Sequence, residues 1–255
     1  MDKQVLIHKK NELVRGTDKY SLNAKRALNA IYWGIQKNSM YDNEIVIFKF
    51  STLRKLMGLQ KDERYIQIIK KALIELQEPM QLNNFYHPIQ KKKFKWYSMS
   101  FLDEAGFEQE NINSLAYLTI NPSIKYLMQI DGNFTELELV ETLNRFRTKY
   151  SMKIYEYLKS FEGYQYLDIS QEHLIALLSI KDNPSYKYYS DLERLVQRQL
   201  KELIKKSDLK NLKLQKSTHL KKSKIYRFII NIESDKITPT KQELESTLKK
   251  LITKF

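Results

Sequence analysis

The chain has 255 residues, 42% of them hydrophobic, and this length suits two compact domains of roughly 110 to 120 residues each. Lysine and arginine number 44 against 30 aspartates and glutamates, so the net charge of +14 favours polyanionic partners such as nucleic acid or an anionic membrane. The absence of cysteine excludes disulfides, thiolate catalysis and cysteine zinc sites and is compatible with a reducing cytoplasm. Because the start is polar and no apolar run approaches the ~20 residues of a membrane span, we expect a soluble cytoplasmic protein.

The first predicted domain covers residues 1–125 and begins with a helix, a strand and a short helix. Ser21 is a suitable N-cap for a helix whose apolar residues recur at helical spacing up to Ile35. Residues 44–50 are rich in β-branched and aromatic side chains and predict a strand. The short helix that follows is predicted to end at Gly58, which supplies a left-handed stop.

A longer helix and a basic hairpin complete this domain. The helix is predicted to run to about Leu76, since Pro79 forbids its continuation. Residues 80–86 and 95–101 predict the two strands of the hairpin, and residues 115–120 predict a third strand beside them. The loop region of the hairpin is basic and resembles a wing that contacts phosphates, although a solvated loop is an equal alternative. Its candidate residues are Lys91, Lys92, Lys93 and Lys95.

A helical junction is predicted at residues 126–143, and a second domain at residues 144–235. The second domain is expected to open with a long helix over residues 143–161, followed by a strand at residues 164–169 and further helices. Its last hairpin pairs a rising and a returning strand. Residues 236–255 predict a helical tail with leucines at helical spacing, which we expect to dock on the body of the protein.

The second half of the chain repeats the pattern of the first. The segments Leu53-Arg-Lys-Leu56-Met57-Gly58-Leu59 and Leu174-Ile-Ala-Leu177-Leu178-Ser179-Ile180 share the spacing L-x-x-L-[LM]-[GS]-[LI]. Each is followed by a helical stripe with the same spacing and then by a basic hairpin. This order of short helix, turn, longer helix and two-stranded ribbon predicts an α+β protein with tandem winged helix-turn-helix domains.

The second domain carries the stronger signal for DNA binding. Residues 181–227 contain 14 basic and 5 acidic residues, and a coding bias towards lysine does not explain such clustering. A winged helix-turn-helix places its second helix in the major groove, so we expect Arg194 and Arg198 to contact bases and Lys201 and Lys205 to contact phosphates. A solvated basic face is the alternative. Further candidates for backbone contacts are Lys187 and Tyr188 in the turn and Lys221, Lys222 and Lys224 at the hairpin tip. For Tyr188 and the neighbouring Tyr189, a packing role is an equal alternative.

Weaker candidates lie in the first domain and at the start of the second. The helix of the first domain presents only Arg64, Gln67 and Lys71 outwards, beside acidic residues. The helix that begins the second domain offers three cations that could touch phosphates from the edge of the groove or merely solubilise an exposed turn. These cations are Arg147, Lys149 and Lys153.

No residue constellation for catalysis is present in the sequence. Nucleotide hydrolysis needs a phosphate loop ending in Gly-Lys-Ser/Thr, and none of the six glycines is followed by lysine. The four histidines lack the H-x-H or H-x-x-x-H spacing of a metal-dependent nicking site. We therefore expect a protein that is not an enzyme and that has no metal and no cofactor.

Two segments of the second domain resemble a known family. Thr148-Lys-Tyr-Ser-Met-Lys-Ile-Tyr155-Glu-Tyr-Leu158 is similar to the pattern K-Y-S-R-R-I-Y-E-L-L, and Tyr186-Lys-Tyr-Tyr-Ser-Asp-Leu-Glu-Arg194 is similar to Y-x-x-[YF]-x-[DE]-[FL]-K-R. Both patterns are typical of the iteron-binding plasmid replication initiators of the RepA, RepE and pi type, and the resemblance covers roughly residues 4–232. Met152 and Glu193 stand where the family often has basic residues.

The resemblance implies a function in plasmid replication of the theta type and in copy control. Initiators of this family bind direct repeats at a plasmid origin as monomers, recruit a host initiator and helicase, and melt AT-rich DNA. Their homodimers, formed through the first domain, repress their own gene at an inverted repeat. A transcriptional repressor with the same tandem domains is the alternative, and a protein that binds RNA or membrane surfaces without reading sequence is a third hypothesis.

Overall fold

The structure is a computed structural model that divides into two compact units, Met1–Ser160 and Phe161–Phe255. It describes residues 5–42, 44–60, 64–87, 89–111, 113–129, 134–181, 183–186, 188–215 and 224–230. The predicted tail at residues 236–255 lies outside the described residues. Within the described ranges, no helix is long and apolar enough to cross a membrane.

The first unit begins with a strand and four helices interrupted by a second strand. These elements are β1 (Leu6–Lys10), α1 (Asn11–Arg15), α2 (Leu22–Asn38), β2 (Ile45–Lys49), α3 (Phe50–Leu56) and α4 (Arg64–Glu75). Ser21 caps α2 as predicted, because its side chain accepts a hydrogen bond from the backbone N–H of Ala24. The apolar face of α2 is fully buried at Ile31, Tyr32 and Ile35 and forms the centre of the core.

Two separate antiparallel hairpins follow α4. They consist of β3 (Pro79–His87) with β4 (Lys92–Ser100), and β5 (Leu102–Phe107) with β6 (Leu115–Ile120). The three-stranded sheet of this unit has the order β2-β6-β5, whereas β3 and β4 form a sheet of their own. The hairpin predicted at residues 80–101 is therefore confirmed, but the strand predicted beside it at residues 115–120 pairs with β2 and β5 instead. The sequence analysis missed β5 because Asp103 and Glu104 are exposed and a β-bulge interrupts the alternation of the strand.

The first unit closes on its own beginning. After α5 (Pro122–Met128), strand β7 (Phe134–Glu138) pairs antiparallel with β1, and a 3-10 turn at Leu143–Arg145 leads to α6 (Lys149–Lys159). The described part of residues 126–143 is thus the end of a helix, a strand and a turn, and the predicted helical junction is wrong. Helix α6 belongs to the first unit, so the division of the chain falls later than the sequence analysis placed it.

A buried network of charged side chains holds α6 in the first unit. The Nζ of Lys9 lies 2.7 Å from Oε1 of Glu156, and the Nζ of Lys25 lies 2.7 Å from a carboxylate oxygen of Asp18. Lys153 lies 3.7 Å from the same carboxylate and donates hydrogen bonds of 2.9 Å and 2.6 Å to the backbone oxygens of Val14, in α1, and Gly16, directly after it. Three cations and two anions therefore share one desolvated interior.

Burial and neighbouring charge shift the pKa values of this network. Burial lowers the pKa of Lys153 to about 8, with the nearby ammonium group of Lys25 acting in the same direction. Burial alone would raise the pKa of Asp18 and Glu156, but the surrounding lysines hold both below their ordinary values. The carboxylates are thus firmly ionised, whereas burial lowers the pKa of both Lys9 and Lys153.

The described part of the second unit has one three-stranded sheet and two α-helices. Its elements are β8 (Tyr166–Ser170), α7 (Gln171–Leu177), a 3-10 turn (Pro184–Tyr186), α8 (Tyr189–Lys206), β9 (Lys213–Gln215) and β10 (Ile225–Ile229). The strand order is β8-β10-β9. Ser170 caps α7 by accepting a hydrogen bond from the N–H of His173. A bidentate ion pair between Arg227 and Asp168, with both contacts at 2.6 Å, joins β10 to β8.

The internal repeat is confirmed at the ends of α3 and α7. Gly58 and Ser179 occupy equivalent positions after the two helices and have left-handed backbones, with φ of 66° and 52°. In each case the following amide closes the helix, from Leu59 to the carbonyl of Arg54 and from Ile180 to the carbonyl of Ile175. The two segments therefore share a helix ending as well as a sequence pattern.

The excess cation of the buried network leads to a matched pair of stability predictions. Lys153→Met leaves the pairs Lys9–Glu156 and Lys25–Asp18 intact, so we expect it to cost less than about 2 kcal/mol. Lys9→Met leaves Glu156 ionised without its direct partner and is expected to cost about 3 to 5 kcal/mol. Urea unfolding at pH 7 measures both values. Equal losses for the two variants would contradict this account.

The lowered pKa of Lys153 also predicts a pH dependence. Between about pH 8 and pH 10.5 the unfolded chain binds more protons than the folded chain, because the pKa of Lys153 is lowered only in the folded state. The destabilisation of the fold by charged Lys153 is therefore complete below pH 8 and is lost as the pH rises through this window. The free energy of unfolding of the wild type should therefore rise relative to that of Lys153→Met between pH 8 and pH 10. Urea unfolding of both proteins across this range tests it, and parallel pH profiles would refute the assignment to Lys153.

Candidate nucleic-acid interface

Helix α8 presents a ridge of cations to solvent. Its buried side consists of Leu192, Leu195, Val196, Leu200 and Leu203, as the sequence analysis predicted. The opposite side carries four exposed cations, which we call the α8 ridge: Arg194, Arg198, Lys201 and Lys205. With a rise of 1.5 Å per residue the ridge extends over roughly 16 Å, which matches about five base pairs of duplex DNA.

The two arginines of the ridge have different surroundings. Arg194, whose side chain is 74% exposed, forms an ion pair of 2.7 Å with Asp191 in the first turn of α8. This contact orients the guanidinium but offsets part of its charge. Arg198 makes no ion pair with any other residue in the described part of the chain. Arg198 is therefore the arginine of the ridge whose charge is most available to an external acceptor.

Two stacked tyrosines fix the start of α8. The rings of Tyr189 and Tyr226 lie 4.4 Å apart and nearly parallel. The hydroxyl of Tyr226 donates to the carbonyl of Tyr189 at 2.9 Å, and the hydroxyl of Tyr189 donates to the carbonyl of Ile225 at 3.2 Å. Burial raises the pKa of Tyr189 to about 12. The first turn of α8 is thus attached to β10, a role that the sequence analysis left open for Tyr189 and did not foresee for Tyr226.

The remaining candidates of the second unit are only partly described. Tyr188 is 67% exposed just before α8, and Lys224 is exposed with a left-handed backbone at the base of the last hairpin. Lys187, Lys221 and Lys222 lie outside the described residues. Arg227 belongs to the basic stretch but is unavailable to an external anion, because its side chain is buried against Asp168 and lies over the ring of Tyr166.

The corresponding helix of the first unit has a different environment. Arg64, Gln67 and Lys71 are exposed on α4, as predicted. However, Gln67 and Lys70 donate hydrogen bonds of 3.0 Å and 2.6 Å to the carboxylate of Glu110, which follows β5. The segment of residues 102–120 contains four acidic residues and no basic residue. The hairpin β5–β6, which extends the sheet beside α4, is therefore strongly negative.

The other hairpin of the first unit has the opposite charge. Residues 79–100 contain four lysines and no acidic residue. These lysines, Lys91, Lys92, Lys93 and Lys95, are all exposed. They belong to the β3–β4 hairpin, which forms a sheet of its own apart from β2-β6-β5, and their contact with phosphates stays a prediction.

The structure separates the three cations predicted around α6. Arg147 is exposed and Lys149 is partly exposed, with its ammonium 5.6 Å from the ring centroid of Tyr150. Lys153 is only 4% exposed and its Nζ is engaged within the first unit. The expectation that Lys153 contacts a phosphate is therefore wrong. Its helix is buried on every side from residue 151 to residue 158, which its sequence pattern does not reveal.

The described residues contain no group of three or more His, Asp or Glu side chains that could hold a metal ion. The histidines of the first unit make structural contacts. His8 pairs with Glu136 at 3.0 Å, and His87 is buried with its Nε2 3.1 Å from the hydroxyl of Ser123. Both histidine rings are therefore engaged in contacts within the first unit.

Comparison with known proteins adds a family assignment to this geometry. Residues 6–159, which nearly coincide with the first compact unit, match the model of a family described as Initiator Replication protein, WH1. No curated protein matches the chain significantly. Among solved structures, a selenomethionine derivative of domains 2 and 3 of RctB is 13% identical, with coverage of 81% of this chain and 80% of that chain and a TM-score of 0.48. A second structure of RctB domains 2–3 is 14% identical, with 82% coverage of both chains and a TM-score of 0.47. Because the family model matches more than half of its residues, the chain belongs to the replication initiator family and its first unit is the WH1 winged-helix domain of that family.

Proposed function

We propose that this replication initiator binds direct repeats at a plasmid origin through the α8 ridge and initiates theta-type replication without enzymatic activity of its own. The single observation that carries the proposal is the exposed row of Arg194, Arg198, Lys201 and Lys205 on α8. The order of β8, α7, α8 and the β9–β10 hairpin matches a winged helix-turn-helix, in which the second helix enters the major groove. The second unit is then a second winged helix in tandem with WH1.

The positions of the ridge residues support distinct roles. Arg194 and Arg198 lie in the first half of α8, where a recognition helix contacts base edges, and arginine can bond guanine in bidentate fashion. Lys201 and Lys205 lie nearer the end, where the helix passes the phosphate backbone. The tyrosine stack holds the first turn of α8 to the sheet, so the arginines are presented on a fixed support.

The first unit is less suited to reading duplex DNA by itself. Its α4 cations lie beside Glu110, and the acidic hairpin β5–β6 would repel phosphates at the place where a wing normally approaches them. We therefore assign the main duplex contacts to the second unit and auxiliary contacts, together with homodimer formation, to WH1. In this proposal the monomer initiates replication with a host initiator and helicase in the bacterial cytoplasm, and the dimer represses its own gene at an inverted repeat.

Footprinting on the DNA that flanks the gene tests the proposal. At ~150 mM salt, which suppresses nonspecific phosphate binding, the wild type should protect phased direct repeats. Arg198→Ala should weaken this binding by about tenfold or more, because a bidentate contact to guanine is worth ~1 to 3 kcal/mol. Lys210→Ala is the matched control, since Lys210 is an exposed cation of the same unit outside the ridge, and it should bind almost as the wild type does.

The remaining outcomes each decide against part of the proposal. A single footprint on an inverted repeat would favour a transcriptional repressor without a replication role. Equal losses for Arg198→Ala and Lys210→Ala would show that charge alone governs binding, as expected of a protein that binds polyanions without reading sequence. Protection of repeats that Arg198→Ala leaves unchanged would remove the α8 ridge from the interface.

A further inference from the structure

The β3–β4 hairpin carries exposed aromatic rings among its lysines. Tyr86 on β3 and Trp96 on β4 are 56% and 58% exposed, although both are large apolar side chains. Leu82 and Phe85 are both buried, so the alternation of β3 is broken at Asn84, whose backbone is left-handed. Asn83 and Tyr86, with their register partners Trp96 and Lys93, are therefore all exposed on the side away from the buried residues. We call this side, together with Lys95, the outer face of the hairpin. It combines rings, an amide and cations without any carboxylate.

The other side of the hairpin explains why the outer face is firmly presented. Phe85, His87, Phe94 and Tyr97 form a cluster of rings with centroids 5.0 to 6.2 Å apart. His87 also lies within hydrogen-bonding distance of Ser123, and its Nδ1 accepts a hydrogen bond from the N–H of Gln90 near the hairpin turn. The ribbon is therefore anchored through one side, and its outer face is supported from below.

We infer that the outer face of the β3–β4 hairpin is a binding surface for single-stranded DNA. Exposed rings can stack on bases only when the bases are unpaired and splayed, because in a duplex the base faces are covered by their neighbours. Tyr86 and Trp96 are three residues apart in register, or roughly 10 Å along the ribbon, which suits a short run of extended nucleotides. The lysines supply phosphate contacts along the same path.

Charge also argues against a second copy of the chain as the occupant of this face. Two such hairpins in contact would bring eight lysines together without a carboxylate on either hairpin. The inference goes beyond the duplex binding proposed for α8 and does not depend on it. An initiator with both surfaces could hold duplex DNA with one unit and an opened strand with the other.

Tryptophan fluorescence provides a direct test, because the chain has only Trp33 and Trp96. The full-length Trp33→Phe variant makes Trp96 the sole reporter, and stacking of a thymidine oligonucleotide of about 12 nucleotides should quench its emission. In the complementary variant Trp96→Phe, the remaining Trp33 should not be quenched. Unchanged emission of Trp96 at a concentration of oligonucleotide that saturates binding would overturn the inference.

Affinity measurements separate stacking from simple charge attraction. Trp96→Ala and Tyr86→Ala should each weaken binding of the oligonucleotide by about tenfold, while Tyr126→Ala, a 40% exposed tyrosine of the same unit, should have no effect. Trp96→Ala should keep duplex binding to the repeats, and Arg198→Ala should keep oligonucleotide binding, so failure of one site is distinguishable from failure of the other. Equal affinity for a uridine RNA oligomer would overturn the assignment to DNA. A Trp96→Ala variant that keeps its DNA affinity but sediments differently would also overturn it, because the ring would then serve self-association.

Discussion

Burial of five charged side chains is the constraint on which the first unit depends. An ion removed from water costs several kcal/mol, so the network of Lys9, Asp18, Lys25, Lys153 and Glu156 is tolerable only when its members meet. They come from β1, the segment after α1, α2 and α6, which are far apart in sequence. The WH1 domain is therefore incomplete until α6 packs against the start of the chain, and this accounts for the division of the chain after Ser160.

The same network shows that net charge predicts a binding partner only when the buried, paired cations are left out of the count. Lys9, Lys25 and Lys153 are buried among other charged groups in the interior of WH1, and Arg227 is buried in an ion pair between two strands of the second unit. A basic composition therefore predicts a polyanionic partner only in outline. Among the exposed cations of the described residues, two groups of four lie close together, on the α8 ridge and on the β3–β4 hairpin, and their different shapes and neighbours imply different uses.

The sequence predicted the features that depend on local periodicity and failed where partners are distant. The α8 ridge and its buried stripe follow from helical spacing, and the helix endings at Gly58 and Ser179 follow from the repeat, so these predictions were confirmed. Lys153 was misjudged because burial on all sides of α6 is a tertiary property. Tyr226 was missed because its partner lies 37 residues away, and β5 was missed because a strand exposed along much of its length looks like a polar connector.

The two hairpins of WH1 show how one domain can carry opposite surface chemistry within a short stretch of chain. Residues 79–100 have four lysines and no carboxylate, and residues 102–120 have four carboxylates and no cation. If both hairpins contacted one DNA duplex, the acidic hairpin would repel the phosphates that the basic hairpin attracts. Because Glu110 instead binds Gln67 and Lys70, the acidic hairpin neutralises the helix beside it, while the basic hairpin keeps its lysines and rings exposed. This separation of charge is the feature on which both proposals rest, because it would direct nucleic acid away from α4 and towards the outer face of β3–β4 and leave recognition of the duplex to the second unit.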